Sequence, residues 1–530
     1  MTGRVRSILL LISCLVVSIQ SENCHFAQNY NLNQLLNDAA AQDSFLMSAS
    51  YWEGKFATDR IGINYASGLT YDGTSIDYTT GLPYPGGLHE FSAASKEAVH
   101  VSLLALAIEG KSKYAVNFFQ SSMQAVHWNG TVQEYGIDQL TRKIGSYEQF
   151  NQQYPGFGGF LPWYALNDSG VQLLNGWTSK IPALDNGELI WGLIAVVQVL
   201  TENGGYPTLL GRYTRQVTKM ARNGLTIFYD GAGSGTVRCV AQIRNVDILP
   251  TRSNYYRDGE CVLNDPYEGE LFVFFVDFFS DWTNYAPGDK DKVWQNKRPQ
   301  LQRATLHSSF GPITVERGWM HSSHEKWKYM ELPYFDIPIN NAVFLNGERA
   351  RSQFSFMNSY PGLFASAANV SQPGNYNPNY ISATGIQEIA SAHVDTNALV
   401  TPYGAYPLLL HPTTRPYGIV WYASMLQGSK MQGPQGSTES VSIQGDLISP
   451  INTWDTKITS VLAFSGGIID ITRRYIQQTG HYIRFATVVA TEWGRVFGED
   501  NLSGSNIAFA LPRASVPQKL PMFTGCTSKK

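Results

Sequence analysis

The stretch that most restricts the fold is Asp185 to Gly204, DNGELIWGLIAVVQVLTENG, whose middle is apolar on every side. A helix without a polar face belongs inside a protein, packed among other helices. Asp185 or Asn186 is placed to cap its start, and Gly204 to stop it. The next segment, TLLGRYTRQVTKMARNG, is amphipathic, as an outer helix is. Earlier, HEFSAASKEAVHVSLLALAIEG sets Val99, Leu103 and Leu106 at helical intervals before Gly110, and near the C-terminus TKITSVLAFSGGIIDITRRYI runs from apolar to polar. A buried helix paired with an outer one, repeated, predicts an all-α-dominated fold. Helical hairpins would close into an (α/α)6 toroid or barrel, with long loops over one end and a few short β-strands such as GTVRCVAQIRN. No linker, charge block or short repeat divides the chain, so residues 22–530 read as a single (α/α)-barrel domain.

Residues 1–21 begin MTGRVRSILLLISCLVVSIQS, with Arg4 and Arg6 ahead of a short apolar run, and read as a signal peptide. The expected location is therefore secreted, extracellular, with no membrane partner. Without Cys14, four cysteines remain in an oxidising compartment. Of three possible pairings, Cys239 with Cys261 closes a short loop and Cys24 with Cys526 ties the ends together. Sequons at Asn129, Asn167, Asn369 and Asn501 fit a glycosylated surface. A formal net charge of −3, with 15% charged residues, offers no basic face for a phosphate backbone. Nucleic acid is thereby set aside as a partner.

The chemistry is sought in NDPYEGELFVFFVDFFSDW, residues 264–282, where two glutamates open a phenylalanine-rich helix. Asp265 can act as the N-cap and Pro266 as the first helical residue, which puts Glu268 in a capping-box position. Glu270 has no such explanation, and Val273 and Phe274 lie on its side of the helix. A carboxyl group among apolar side chains has a raised pKa, which a general acid at a glycosidic oxygen requires. Glu270 is the first candidate for that role and Glu268 the second. Asp277 and Asp281 share the face of Glu270, so a solvated face, with Glu268 on the aromatic side, is the alternative.

A partner carboxylate is needed for inverting hydrolysis. Asp455, in SPINTWDTKITSVLAF, stands at the start of another apolar helix, where a simple dipole charge is the competing explanation. Glu439 in MQGPQGSTES is a second acidic candidate near it. In ERGWMHSSHEKWKYMELPYFD, Trp319, His321, His324, Trp327 and Tyr329 could supply platforms and donors to a sugar. His321 and His324 lack an accompanying acidic pattern, so neither a metal nor another cofactor is expected. No GxSxG elbow or phosphate-cradling glycine loop is present.

The segments LDNGELIWGLIAV, DPYEGELFVFF, ERGWMHSSHEKW, YPGLFASAANV, MQGPQGSTES and NTWDTKITSVLAF, in this order, resemble the glycoamylase-like glycoside hydrolases, and most of all the eukaryotic endo-β-1,2-glucanases. The resemblance implies an (α/α) barrel and metal-free, anomer-inverting cleavage inside β-1,2-glucan chains to short sophoro-oligosaccharides. It implies an acid in YEGEL, Glu270 or Glu268, and a base in TWD, Asp455. Asp185 matches a motif that lines the sugar cleft, and His321, Trp327, Glu439 and Trp454 are the further candidate contacts to a polysaccharide or oligosaccharide. Another inverting glycosidase on the same barrel is one alternative. A non-catalytic secreted carbohydrate-binding protein, with the carboxylates as caps, is the other.

Overall fold

Helices dominate the chain, and in order the principal ones are α1 (Ala39–Gly54), α2 (Ala94–Glu109), α3 (Lys113–Ala125) and α4 (Val132–Gln153). They continue with α5 (Ala183–Asn203), α6 (Pro207–Phe228), α7 (Glu270–Phe279) and α8 (Pro338–Met357). The last are α9 (Arg415–Leu426), α10 (Ile469–Gln478) and α11 (Tyr482–Phe497). This computed structural model describes residues 23–382, 384–498 and 502–526, so the expected signal peptide and the Asn501 sequon lie outside the described residues.

The all-apolar stretch is α5, and its surroundings explain its composition. It packs on α2, α6, α7 and α10, and every residue from Asn186 to Leu200 is buried. Each Leu, Ile or Val placed there contributes about 1.5–3 kcal/mol relative to an exposed position. Among the described residues α5 is the one helix long and apolar enough to cross a bilayer, but 89% of that window is buried inside the protein. The helix stops where Gly204 turns left-handed (φ 70°) and its N–H bonds Leu200 O. Its start differs from expectation. The helix begins at Ala183, two residues before Asp185, because both proposed caps are engaged elsewhere. Trp163 Nε1 donates to Asp185, while the Asn186 amide clamps the backbone at Leu161 and Pro182.

Amphipathic α6 follows on the outside, with Leu209, Tyr213, Val217, Met220 and Leu225 on its buried face. The C-terminal apolar stretch is two helices, Thr459–Phe464 and α10, separated at Gly466 and Gly467 (φ 99° and 62°). A Cβ at Gly467 would lie 2.3 Å from Met330 O, so the break needs glycine there.

Short strands sit among the connections: β1 (Gly73–Ile76), β2 (Pro83–Leu88), β3 (Lys180–Pro182), β4 (Val240–Ile243), β5 (Tyr255–Arg257) and β6 (Ile451–Thr453). Two antiparallel sheets follow, ordered β6-β1-β2 and β5-β4-β3. The first joins distant parts of the chain, since Gly73 pairs with Thr453. It carries Asp72 and Asp455 to neighbouring positions.

The disulfides are Cys239–Cys261 and Cys24–Cys526, the pairing expected from loop lengths. The C-terminal end also docks on the β1–β2 connection, where Thr524 N–H bonds Thr79 O and Gly525 N–H bonds Thr80 O.

Candidate active site

Helix α7 starts at Glu270, not at Pro266, and this later start decides which glutamate faces outward. Asp265 does not cap three residues ahead. Its Oδ1 takes the Tyr267 N–H (2.9 Å), the bond of an Asx turn, so Asp265–Gly269 form turns before the helix. Glu268 is released from the capping box and lines a cavity of about 490 Å³. Glu270 points the other way, into the core, and does not line the cavity. It is 2% exposed and its Oε2 accepts from Lys328 Nζ (3.0 Å) and the Tyr334 hydroxyl (2.7 Å), with Lys297 Nζ 3.8 Å from Oε1. Glu270, expected to lead the site, thus lies off the cavity: its apolar helix face is closed by lysines and a tyrosine, not by a cleft.

Glu268 has the surroundings sought for Glu270. Its Oε2 is buried without a hydrogen-bond partner. Burial, helped by the Asp265 and Glu325 carboxylates, holds its pKa well above the ordinary glutamate value, and Lys328 opposes only in part.

Asp455 lines the same cavity, in the first turn of a π-helical segment, Trp454–Ile458, that follows β6. Such wide turns recur at functional sites. Lys96 Nζ lies 3.0 Å from Asp455 Oδ2 and 3.5 Å from Asp72 Oδ1, and Asp72 Oδ2 meets His89 Nδ1 at 3.0 Å. Glu439 is close by. It accepts from Ala368 N–H (3.0 Å), Thr453 Oγ1 (2.9 Å) and Thr456 Oγ1 (2.6 Å). Burial nevertheless pushes its pKa up to about 7.

Of the remaining candidates, Asp185 and Trp327 line the cavity. Asp185 accepts from Trp163 Nε1 at 2.7 Å, and Trp327 Nε1 donates to the Tyr403 hydroxyl at 2.7 Å. His321 and Trp454 do not line it. His321 is 1% exposed, beneath the wall rather than on it, and faces α8 near Gly347. Trp454 is fully buried, its Nε1 bonded to Gly62 O and its ring 4.9 Å from His100 and 5.6 Å from Phe56. Trp454 therefore packs into the core, while its neighbour Asp455 reaches the cavity.

The cavity also gathers residues that sequence reasoning missed. Glu188, one helical turn after Asp185, has a buried Oε2 without a partner, and burial with the Asp185 charge pushes its pKa well up. Its i, i+3 spacing from Asp185 was the available signal. Tyr380 and Tyr403 contribute phenols, and Lys96 the charge beside Asp455. His324, read only as one of several aromatics, lines the wall with Nδ1 between Ser322 Oγ (2.8 Å) and Ser366 Oγ (2.9 Å). Burial lowers its pKa to about 4, which keeps the ring neutral. A stacked series His89, Phe91, Trp163 and Trp177, with interplanar angles of 7°, 14° and 13°, leads away from the cleft. Carboxyls, phenols and aromatic faces in one groove suit a hydroxyl-rich ligand.

A family model described as endo-beta-1,2-glucanase SGL matches residues 69–527. No curated protein matches the chain. Among solved structures, a glutamate-to-glutamine mutant of the endo-beta-1,2-glucanase from Talaromyces funiculosus in complex with beta-1,2-glucan is 35% identical, with a TM-score of 0.89, covering 96% of this chain and 100% of that one. The same enzyme with sophorose is 36% identical with a TM-score of 0.89, over 95% and 100% of the two chains. An endo-beta-1,2-glucanase from Chitinophaga pinensis shares the fold at 11% identity, with a TM-score of 0.54, over 85% of this chain and 97% of that one.

Proposed function

Because the chain belongs to the endo-β-1,2-glucanase family, we propose that this glycoside hydrolase cuts inside β-1,2-glucan chains with inversion, releasing short sophoro-oligosaccharides. The observation that carries the reading is that Glu268 and Asp455 line one cavity in opposite electrostatic settings. Glu268 is half-buried, with its Oε2 enclosed and its pKa raised near other carboxylates, while Asp455 is paired with a lysine. A carboxyl group with a raised pKa, set in one cleft with a carboxylate held in an ion pair, suits a division into acid and base.

In the proposed mechanism, the bound glucan places its scissile oxygen at the Glu268 carboxyl. Glu268 donates its proton to the departing oxygen. Asp455 uses the oxygen not engaged by Lys96 to take a proton from the attacking water, directly or through an intervening hydroxyl. Inversion needs the two carboxyls about 6.5–9.5 Å apart, with water between them. Asp185, Glu188, Trp327 and Glu439 serve as sugar contacts along the cleft. No step calls for a metal.

The same reading extends to the whole chain. The pairing of inner α5 with outer α6, and of the other helices around them, is consistent with an (α/α)6 toroid formed by residues 22–530 as one catalytic domain. Removal of residues 1–21 and secretion fit two disulfides, which persist in oxidising compartments. N-terminal sequencing of the protein recovered from culture medium checks this.

A panel of linear β-1,2-, β-1,3- and α-1,4-glucans tests the activity. The expected result is a rapid fall in β-1,2-glucan chain length, with the α-anomer appearing first by proton NMR. Hydrolysis of another linkage in preference, or initial release of the β-anomer, would overturn the reading.

A further inference from the structure

Lys96 is out of place by the ordinary rules of helix composition. It is the third residue of α2, where the helix dipole favours an anion, and it is only 5% exposed. Among the described residues that line the cavity it is the one lysine or arginine, set against Asp72, Asp185, Glu188, Glu268, Glu439 and Asp455. A cation placed against both its helix dipole and its solvation requires local compensation, and such departures mark functional positions. The compensation is visible: Asp455 Oδ2 at 3.0 Å, Asp72 Oδ1 at 3.5 Å, and the face of Trp163 5.0 Å below the ammonium.

The clamp is built from three separate parts of the chain. Asp72 is fixed by His89 Nδ1 and by its own carbonyl, which accepts the Trp454 N–H at 3.3 Å. That bond continues the Gly73–Thr453 pairing, so the Asp72 segment and the Asp455 segment are in register before any side chain acts. Lys96 then enters from α2 and bridges the two carboxylates.

We propose that Lys96 is a positioning residue for the base: it holds one oxygen of Asp455, fixes the carboxylate plane, and sets a positive charge against it within an otherwise acidic cleft. The inference rests on the reading of Asp455 as the base. The groups facing Asp455 and Lys96 act in both directions. Asp72 and His89 approach from the β1–β2 hairpin, Asp185 and Glu188 from α5, Glu439 from the loop before β6, and the Tyr380 phenol from the opposite wall. Every anion in that set repels the Asp455 carboxylate, and Lys96 is the cation that attracts it. Burial works against the ammonium itself, but Asp455 and Asp72 outweigh it and hold the Lys96 pKa above its ordinary value. The lysine therefore stays charged across the working range.

The test compares pH profiles of kcat/KM on β-1,2-glucan for wild type, Lys96→Met, Lys96→Arg and Asp455→Asn. A charge at this distance shifts a neighbouring titration by about 1–3 units. Lys96→Met should move the acid limb to higher pH by at least one unit, a loss that reaches tenfold or more along the limb itself, with KM changed much less than kcat. Lys96→Arg should leave that limb in place. A Lys96→Met profile that is merely scaled down, with its acid limb unmoved, overturns the proposal, as does an equal shift in Lys96→Arg. If the methionine variant does not fold, Lys96→Arg decides alone: an unmoved limb supports the proposal and a one-unit shift overturns it. An active Asp455→Asn would instead remove the base assignment, whereas an inactive one with an unmoved Lys96→Met limb removes only the role of Lys96.

Discussion

Lys328 donates to Glu270 across 3.0 Å with neither side chain more than 3% exposed, and this pair holds Glu270 in the core, away from the cavity. Glu268, two residues earlier, is left with a buried oxygen that nothing in the described protein satisfies. The two positions should therefore fail in different ways. Glu268→Gln should lower kcat/KM by about 10²–10⁴-fold, the usual contribution of a general acid, and leave the melting temperature nearly unchanged. Glu270→Gln leaves Lys328 uncompensated inside the protein and should cost about 3–5 kcal/mol of stability. Thermal melts read beside initial rates separate them, and a stable but inactive Glu270→Gln would reverse the assignment.

Glu439 gives stability a pH dependence with a definite sign. Its folded pKa, about 7, lies above its ordinary 4.5, so between those values the native state holds a proton that the unfolded chain has released. Its favourable contribution is complete below the unfolded value and is lost as pH rises through the folded one. Relative to wild type, Glu439→Gln should gain stability from pH 5 to pH 8. Melting temperatures of both proteins at the two pH values check this, and a constant difference would refute it.

His321 and His324 allow a direct contrast between burial and contact. His321 adopts φ 54° and lies beneath the wall, so asparagine, which tolerates that conformation, should leave KM for the glucan unchanged. His324 lines the cavity with its Nδ1 held by serine hydroxyls, and His324→Ala should raise KM severalfold. Steady-state kinetics on the two variants measure the difference.

Cys239–Cys261 spans 22 residues of chain between α6 and α7. Closing a loop of that length stabilises by about 3 kcal/mol in the chain-entropy description. The double substitution Cys239→Ser with Cys261→Ser should lower the melting temperature by several degrees and retain turnover at 25 °C, since neither cysteine lines the cleft. Calorimetry with a parallel activity assay tests both halves.

The sequence carried the helical architecture because α5 is apolar around its whole circumference, a pattern that survives any uncertainty about neighbours. It did not decide between Glu268 and Glu270. Helical periodicity orients side chains only once the first turn is known, and here an Asx turn at Asp265 delays the helix to Glu270. Asp455 was legible through its apolar helix and the family resemblance. Trp454 and His321 were not, because an aromatic side chain beside a polar one looks the same whether its ring meets a sugar or the core. Lys96 gave no local signal: its meaning comes from strands more than 350 residues apart, paired at Gly73 and Thr453.

The bond between Cys24 and Cys526 makes the described chain a covalent ring, with its terminal segment seated on the hairpin that presents Asp72 and His89. A ring has no loose end from which to unzip, so melting must begin at an internal seam. Reducing that one bridge would give the protein two ends again, and would loosen first the side of the groove where Lys96 finds its partners.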